Sequence, residues 1–272
     1  MDLIQSDYFL HTYTDLNMDT TVTSQYQAHL VAISFALAFI GSFIALMITR
    51  RIRKKDGSVH WLAAATAGVA LGGIGVWAMH FMGMVALDLN VASSYGILET
   101  GVSLVAAIAC TSIALVIVSK QPENILRILG GGLLLGAGVV AMHYLGMFGM
   151  KIGGYIIWDL NTVVLSAVIA VVAATAALWL AFNTYRLGTR IGSALVMAGA
   201  VCSMHYTGMS AAEFVCTTPN RLAAVQGDWL LSSIGLSSMV AVCAFAMATL
   251  ISLDLWMQWM QRSVLSKNPR AV

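Results

Sequence analysis

A chain of 272 residues that is 59% hydrophobic, only 10% charged and +2 in net charge excludes a soluble domain, in which about 25% of residues carry charge to face water. No nucleic-acid partner is expected, and the partner that the composition does predict is a lipid bilayer. Backbone groups in lipid must be satisfied internally, so spanning segments are helices or a closed barrel. The apolar runs are about 20 residues long and lack the ten-residue alternation of barrel strands, which predicts helices. The expected fold is all-α, with seven transmembrane helices: one lone helix, then three repeated helix pairs.

In chain order, residues 1–26 form a tail with Asp2, Asp7, Asp15, Asp19 and His11 but no basic residue. That flank does not suit a cleavable signal peptide. The spans are expected at 27–49, 60–87, 96–119, 126–150, 162–182, 191–213 and 229–253, and residues 27–255 form the membrane domain. Residues 256–272 form a second tail. Twelve of the 14 Lys and Arg residues follow spans one, three, five and seven; Lys151 and Arg221 are the exceptions. The positive-inside rule makes those clusters cytoplasmic, with the N-terminus outside and the C-terminus inside a bacterial inner membrane. Cys110, Cys202, Cys216 and Cys243 suggest no disulfide framework.

Spans two, four and six end in one repeated pattern. Met79-His80-Phe81-Met82-Gly83-Met84 aligns with Met142-His143-Tyr144-Leu145-Gly146-Met147 and with Met204-His205-Tyr206-Thr207-Gly208-Met209. A helix turns about 100° per residue, so His, the Gly three on and the Met four on share a face, with the leading Met at its edge. Asp88, Lys151 and Glu213 each lie eight residues past their His, which in continuous helix is about 12 Å. All three His are then expected at one depth, about two turns below the outer surface.

Imidazole with thioether is a soft, polarizable ligand set that suits copper. His80, His143 and His205 with Met84, Met147 and Met209 are the expected metal set. Met79, Met142, Met204, His29 and Cys202 are additional candidates. The bland reading makes each His an interhelical hydrogen bond and each Met a gap filler; three copies at one depth weigh against it. The motif glycines, with Gly68-x-x-x-Gly72 and Gly132-x-x-x-Gly136, are read as allowing close helix approach. Asp88 and Glu213 are candidates for a cation funnel at the outer mouth. His11 and His60 are expected to be solvated.

The three motifs and seven spans resemble the MHYT sensor family, whose name stands at Met204-His205-Tyr206-Thr207; span one adds Ser34, Ser42-Phe43 and Ala45-Leu46. The resemblance covers about residues 27–255. It implies a bacterial membrane sensor that binds copper through these residues and detects oxygen, carbon monoxide or nitric oxide. Such domains often precede cyclic-di-GMP synthesis or hydrolysis domains. The sequence stops at Val272 without one, so the second tail is read as a linker to an absent output domain or as the route to a partner; a homodimer stays open.

Three functions compete. A sensor would couple a small diatomic ligand to span seven, which runs into Trp256, Trp259 and the basic residues Arg262, Lys267 and Arg270. A copper carrier would need ligands on the cytoplasmic side, where no ladder is visible. A b-type haem protein would use two of the three His, or a His and a Met, as axial ligands. No catalytic signature appears, and no enzyme is expected.

Overall fold

The computed structural model describes Val22 and residues 24–267 apart from Pro219, without the side chains of Trp259 and of residues 261–267. The expectations for His11, the four N-terminal aspartates, and the side chains of Trp259, Arg262, Lys267 and Arg270 lie outside what is described. Among the described residues seven helices are long and apolar enough to cross a membrane. They are α1 (Ala28–Ile48, closing in a 3-10 turn at Thr49–Arg51), α2 (Trp61–Val85), α3 (Ile97–Ser119), α4 (Ile125–Gly149), α5 (Leu160–Asn183), α6 (Leu187–Ser210) and α7 (Ser233–Lys267). The chain is a multi-pass membrane protein of all-helical spans.

Two local features depart from the sequence reading. The middle of α2, Val69–Ala78, is π-helical. It is a glycine-rich run held from several sides, since glycines let helices close in where no hydrophobic force drives them together in lipid. A Cβ on Gly41 of α1 would lie 2.5 Å from Ala70 O and Gly75 Cα, and one on Gly72 would lie 2.7 Å from Thr111 Oγ1 of α3. His60, expected to be solvated, accepts a hydrogen bond from the Ala63 amide and caps the start of α2.

The second departure is a layer of short strands beyond the motifs. The motif helices end only five or six residues after their His, at Val85, Gly149 and Ser210. Asp88, Lys151 and Glu213 therefore lie on strands, and the expected eight residues of continuous helix are corrected. The strands are β1 (Gln25–Tyr26), β2 (Leu87–Asp88), β3 (Ser93–Gly96), β4 (Met150–Ile152), β5 (Gly154–Trp158), β6 (Ala212–Cys216) and β7 (Leu230–Ser232). They pair antiparallel as β1–β2, β4–β3–β7 and β5–β6. In the longest pair Gly154 faces Cys216 and Trp158 faces Ala212. Once a chain leaves helix at a membrane boundary its amides need new partners, and these ribbons supply them while tying the motif ends together.

Packing orders the helices into a closed ring. α1 packs on α2, α2 on α3, α3 on α4, α4 on α5, α5 on α6, and α6 back on α1. α7 stands outside this ring against α2, which becomes the most enclosed helix. In space α1 therefore takes the place beside α6 that the sequence repeat assigns to α7. The side chains agree. Ser34 in α1, Ser103 in α3 and Ser166 in α5 are all fully buried, and each donates to the carbonyl three residues back, at Val31, Thr100 and Val163.

Candidate metal centre

The ring brings the three motif histidines together at its core. His80, His143 and His205 are all buried. Their Nδ1 atoms form a triangle with sides of 3.0 Å (His80–His205), 3.1 Å (His80–His143) and 3.4 Å (His143–His205). The ring planes cross at 70°, 80° and 90°. Among the described residues these three form the group of His, Cys, Asp and Glu whose ligand atoms can meet on one ion.

This arrangement has a definite chemistry. A neutral imidazole offers one donor nitrogen and one acceptor nitrogen. Three mutually facing nitrogens cannot all donate, and three inward lone pairs repel unless a cation lies among them. The centre of the observed triangle is about 1.8 Å from each nitrogen, against about 2.0–2.1 Å for an imidazole–metal bond. These three nitrogens together would hold one ion. A haem held between two of these imidazoles does not fit, because its macrocycle would have to pass between nitrogens 3.0 Å apart.

The opposite ring nitrogens explain the motif glycine. Nε2 of each His is buried without a hydrogen-bond partner and faces the glycine of another motif. A Cβ on Gly146 would collide with His80 Nε2, one on Gly208 with His143 Nε2, and one on Gly83 with His205 Nε2. The same Cβ atoms would lie 3.1, 3.0 and 2.8 Å from the respective Cδ2 atoms. Each motif thus supplies the seat for the imidazole of another, in a cycle. The sequence reading assigned these glycines to helix approach; they make room for imidazoles instead. Gly68-x-x-x-Gly72 and Gly132-x-x-x-Gly136 do serve helix approach, with Gly136 against Val171 of α5.

The aromatic residue after each His stacks edge-on against it, at centroid distances of 4.7 Å for Phe81 and 4.8 Å for Tyr144 and Tyr206. Tyr144 Oη lies 2.7 Å from Ser166 Oγ of α5, and Tyr206 Oη lies 2.9 Å from Ser34 Oγ of α1. Phe81 has no hydroxyl, and the equivalent Ser103 accepts from Trp77 Nε1 at 3.1 Å. Sequence reasoning named Ser34 only for the family resemblance and missed Ser103 and Ser166, although a signal existed: each serine is followed four residues later by a buried alanine, Ala38, Ala107 or Ala170.

The remaining candidates divide. Met79, Met84, Met142, Met147, Met204 and Met209 are all buried. Met79 packs with Cys202, Ala38 and Ala198, while Met147 borders a larger cavity with Tyr144, Phe148 and Trp158. Cys202 and His29 are outside the three-histidine group; His29 is exposed in the first turn of α1. Asp88 and Glu213 are exposed on β2 and β6. Lys151 on β4 pairs with Glu99 at 3.8 Å, a half-exposed contact of small energetic weight. The four cysteines are unpaired.

Residues 73–131, 136–194 and 199–261 each match the repeat described as "MHYT: Bacterial signalling protein N terminal repeat". The chain is 35% identical over 240 residues to the Bifunctional diguanylate cyclase/cyclic di-GMP phosphodiesterase MucR of Pseudomonas aeruginosa, covering 84% of this chain and 34% of that protein. It is 29% identical over 262 residues to the Cyclic di-GMP phosphodiesterase NbdA of the same organism, covering 90% and 31%. Similarity to the Signaling protein YkoW of Bacillus subtilis is 29% over 198 residues, covering 70% and 24%. The chain thus spans a third or less of these relatives, apart from the slightly larger share of MucR. No solved structure matches it.

Proposed function

The chain belongs to the MHYT family of bacterial signalling proteins, and from that premise we propose that it is a membrane sensor whose three imidazoles hold one metal ion, copper. The observation that carries this reading is the buried Nδ1 triangle with sides of 3.0–3.4 Å. Imidazole alone suits several metals; the buried methionines that each motif carries favour copper among them, because thioether selects cuprous ion. When bound, the metal supplies an electron-rich centre with a position for a small diatomic ligand: oxygen, carbon monoxide or nitric oxide. His80, His143 and His205 bind and orient, Gly83, Gly146 and Gly208 fix the ring positions, and the enclosing helices exclude water. Met84, Met147 and Met209 are the favoured thioethers.

The membrane is the bacterial inner membrane, with the motif face outward and the basic face in the cytoplasm. The output is a cyclic-di-GMP domain or partner, reached from one chain or a homodimer; the relatives carry such names, and the sequence here spans about a third of their length. Asp88 and Glu213 raise the cation concentration at the outer mouth, an effect on capture rate that salt screens. The test is metal content per chain in protein purified without a polyhistidine tag. Copper near one equivalent is expected in the parent. Its loss is expected in the His80→Ala, His143→Ala, His205→Ala triple variant, and full retention there overturns the site.

A further inference from the structure

We infer that α7 reads the state of the histidine centre through the π-helical segment of α2, and that a polar latch on the basic face holds α7 in register; this regulation rests on the centre proposed above. Three observations carry it. α7 lies outside the six-helix ring, and its main helical neighbour is α2, which it touches along the π segment and the His80-bearing turn. The contact is specific, because Gly73 in the π segment provides the seat for the Met247 thioether of α7, which a Cβ there would displace. Gly73 and His80 share one helix, seven residues apart.

At the far end of the same pair of helices, buried Asp254 of α7 accepts a hydrogen bond from Gln258 Nε2 at 2.7 Å and a long one from Thr66 Oγ1 of α2 at 3.4 Å. Arg51, just after α1, donates to Gln258 Oε1. The glutamine thus relays a guanidinium to a carboxylate across three helix ends. The Asp254 carboxylate is thus buried at the end of its span with polar partners from two other helices.

The physical device is the π segment. Its hydrogen bonds run i to i+5, and exchanging a π turn for an α turn rotates everything beyond it. α1 and α3 clamp the segment by glycine contacts at Gly41 and Gly72, and Gly68 packs on Ser112 of α3 just before it. A change in the spacing of the three imidazoles rotates the His80 turn. The π segment takes up that rotation, and the displacement reaches Met247. From there α7, a single helix that continues to Lys267, carries it past the latch to the basic face. α4 and α6 hold His143 and His205 but lack this route.

Hydrogen–deuterium exchange over residues 240–258 tests the route with the full chain, in detergent, with and without cuprous ion. Copper is expected to change exchange in this segment at least threefold in the parent. Gly73→Ala crowds the Met247 seat without touching a histidine, so it is expected to keep full copper and lose that response. Retention of the response in copper-loaded Gly73→Ala, or none in a copper-loaded parent, overturns the coupling while leaving the metal site intact. If the parent binds no copper, the metal reading fails by itself. The coupling is then judged on metal-free variants: His80→Ala must alter exchange in 240–258 more than His143→Ala does, and equal effects overturn it.

Discussion

α1 and α7 are the two ends of the membrane domain, and the sequence repeat assigns them opposite roles from those the packing gives. By repeat, α7 is the return helix of the third pair and α1 stands alone. In space α1 sits beside α6, with buried Ser34 bonded to Tyr206 as Ser166 is to Tyr144. α7 carries the same pattern, serine then alanine four residues on, at Ser237 and Ala241, yet Ala241 is exposed. The lesson is that duplication copies side chains, whereas a closed ring needs only six helices and takes the one that fits. The seventh packs outside it, against α2.

The largest effect that tests this comparison comes from the glycines of the two helices. Gly41 of α1 presses on the backbone of α2, whereas Gly235 of α7 meets only ordinary contacts at 3.5 Å. Gly41→Ala is expected to cost about 3 kcal/mol, the upper end for overpacking where backbone must yield. Gly235→Ala should be neutral, or stabilising by up to about 1 kcal/mol through helix propensity. Thermal melts in detergent compare them; equal losses would return α7 to the ring.

Next come the motif glycines. Gly83→Ala, Gly146→Ala and Gly208→Ala are each expected to cost about 1–3 kcal/mol and to reduce bound metal, because each displaces an imidazole of a different motif. A graded loss by metal analysis across all three supports the cycle; unchanged metal in all three breaks it.

A smaller effect compares the two tyrosines directly. Tyr206→Phe and Tyr144→Phe each remove one hydroxyl contact, to Ser34 and Ser166, and should each cost about 0.5–1.5 kcal/mol. Equal costs sharpen the equivalence of α1 and α5. A zero cost for Tyr206→Phe alone would put α1 outside the threefold arrangement.

The smallest effect lies at the helix starts. Asp159 caps α5 by accepting from the Asn161 and Thr162 amides, but Gln27 leaves α1 without a side-chain cap. Gln27→Asp is expected to stabilise α1 by about 0.5–1 kcal/mol. The hydrogen bond from the Thr162 hydroxyl, with those from the two amides, holds the Asp159 carboxyl below its usual value. A depressed folded value means that the cap contributes fully above the unfolded pKa of about 3.9 and is lost as pH falls through the lower folded one. Melts of Asp159→Asn and the parent should therefore differ at pH 6 and converge near pH 2; a constant difference would deny the charge a role.

Much of the molecule was legible in the chain alone. Seven spans, their approximate ends and the three histidines follow from hydropathy and repetition, because a bilayer requires about 20 apolar residues per crossing and penalises polar groups inside. His80, His143 and His205 stood out for that reason. What the tertiary structure decided concerns relations between helices. Helical phase places His and Gly on one face but does not say that Gly146 seats His80 rather than a neighbouring backbone, because that depends on which helix comes next around the ring. The π segment has no periodic signature, since glycines permit it and the clamp by α1 and α3 selects it. The exchange of α1 for α7 was equally hidden: in lipid every apolar face is at home, so hydropathy cannot tell a ring helix from one outside it, and only close packing can.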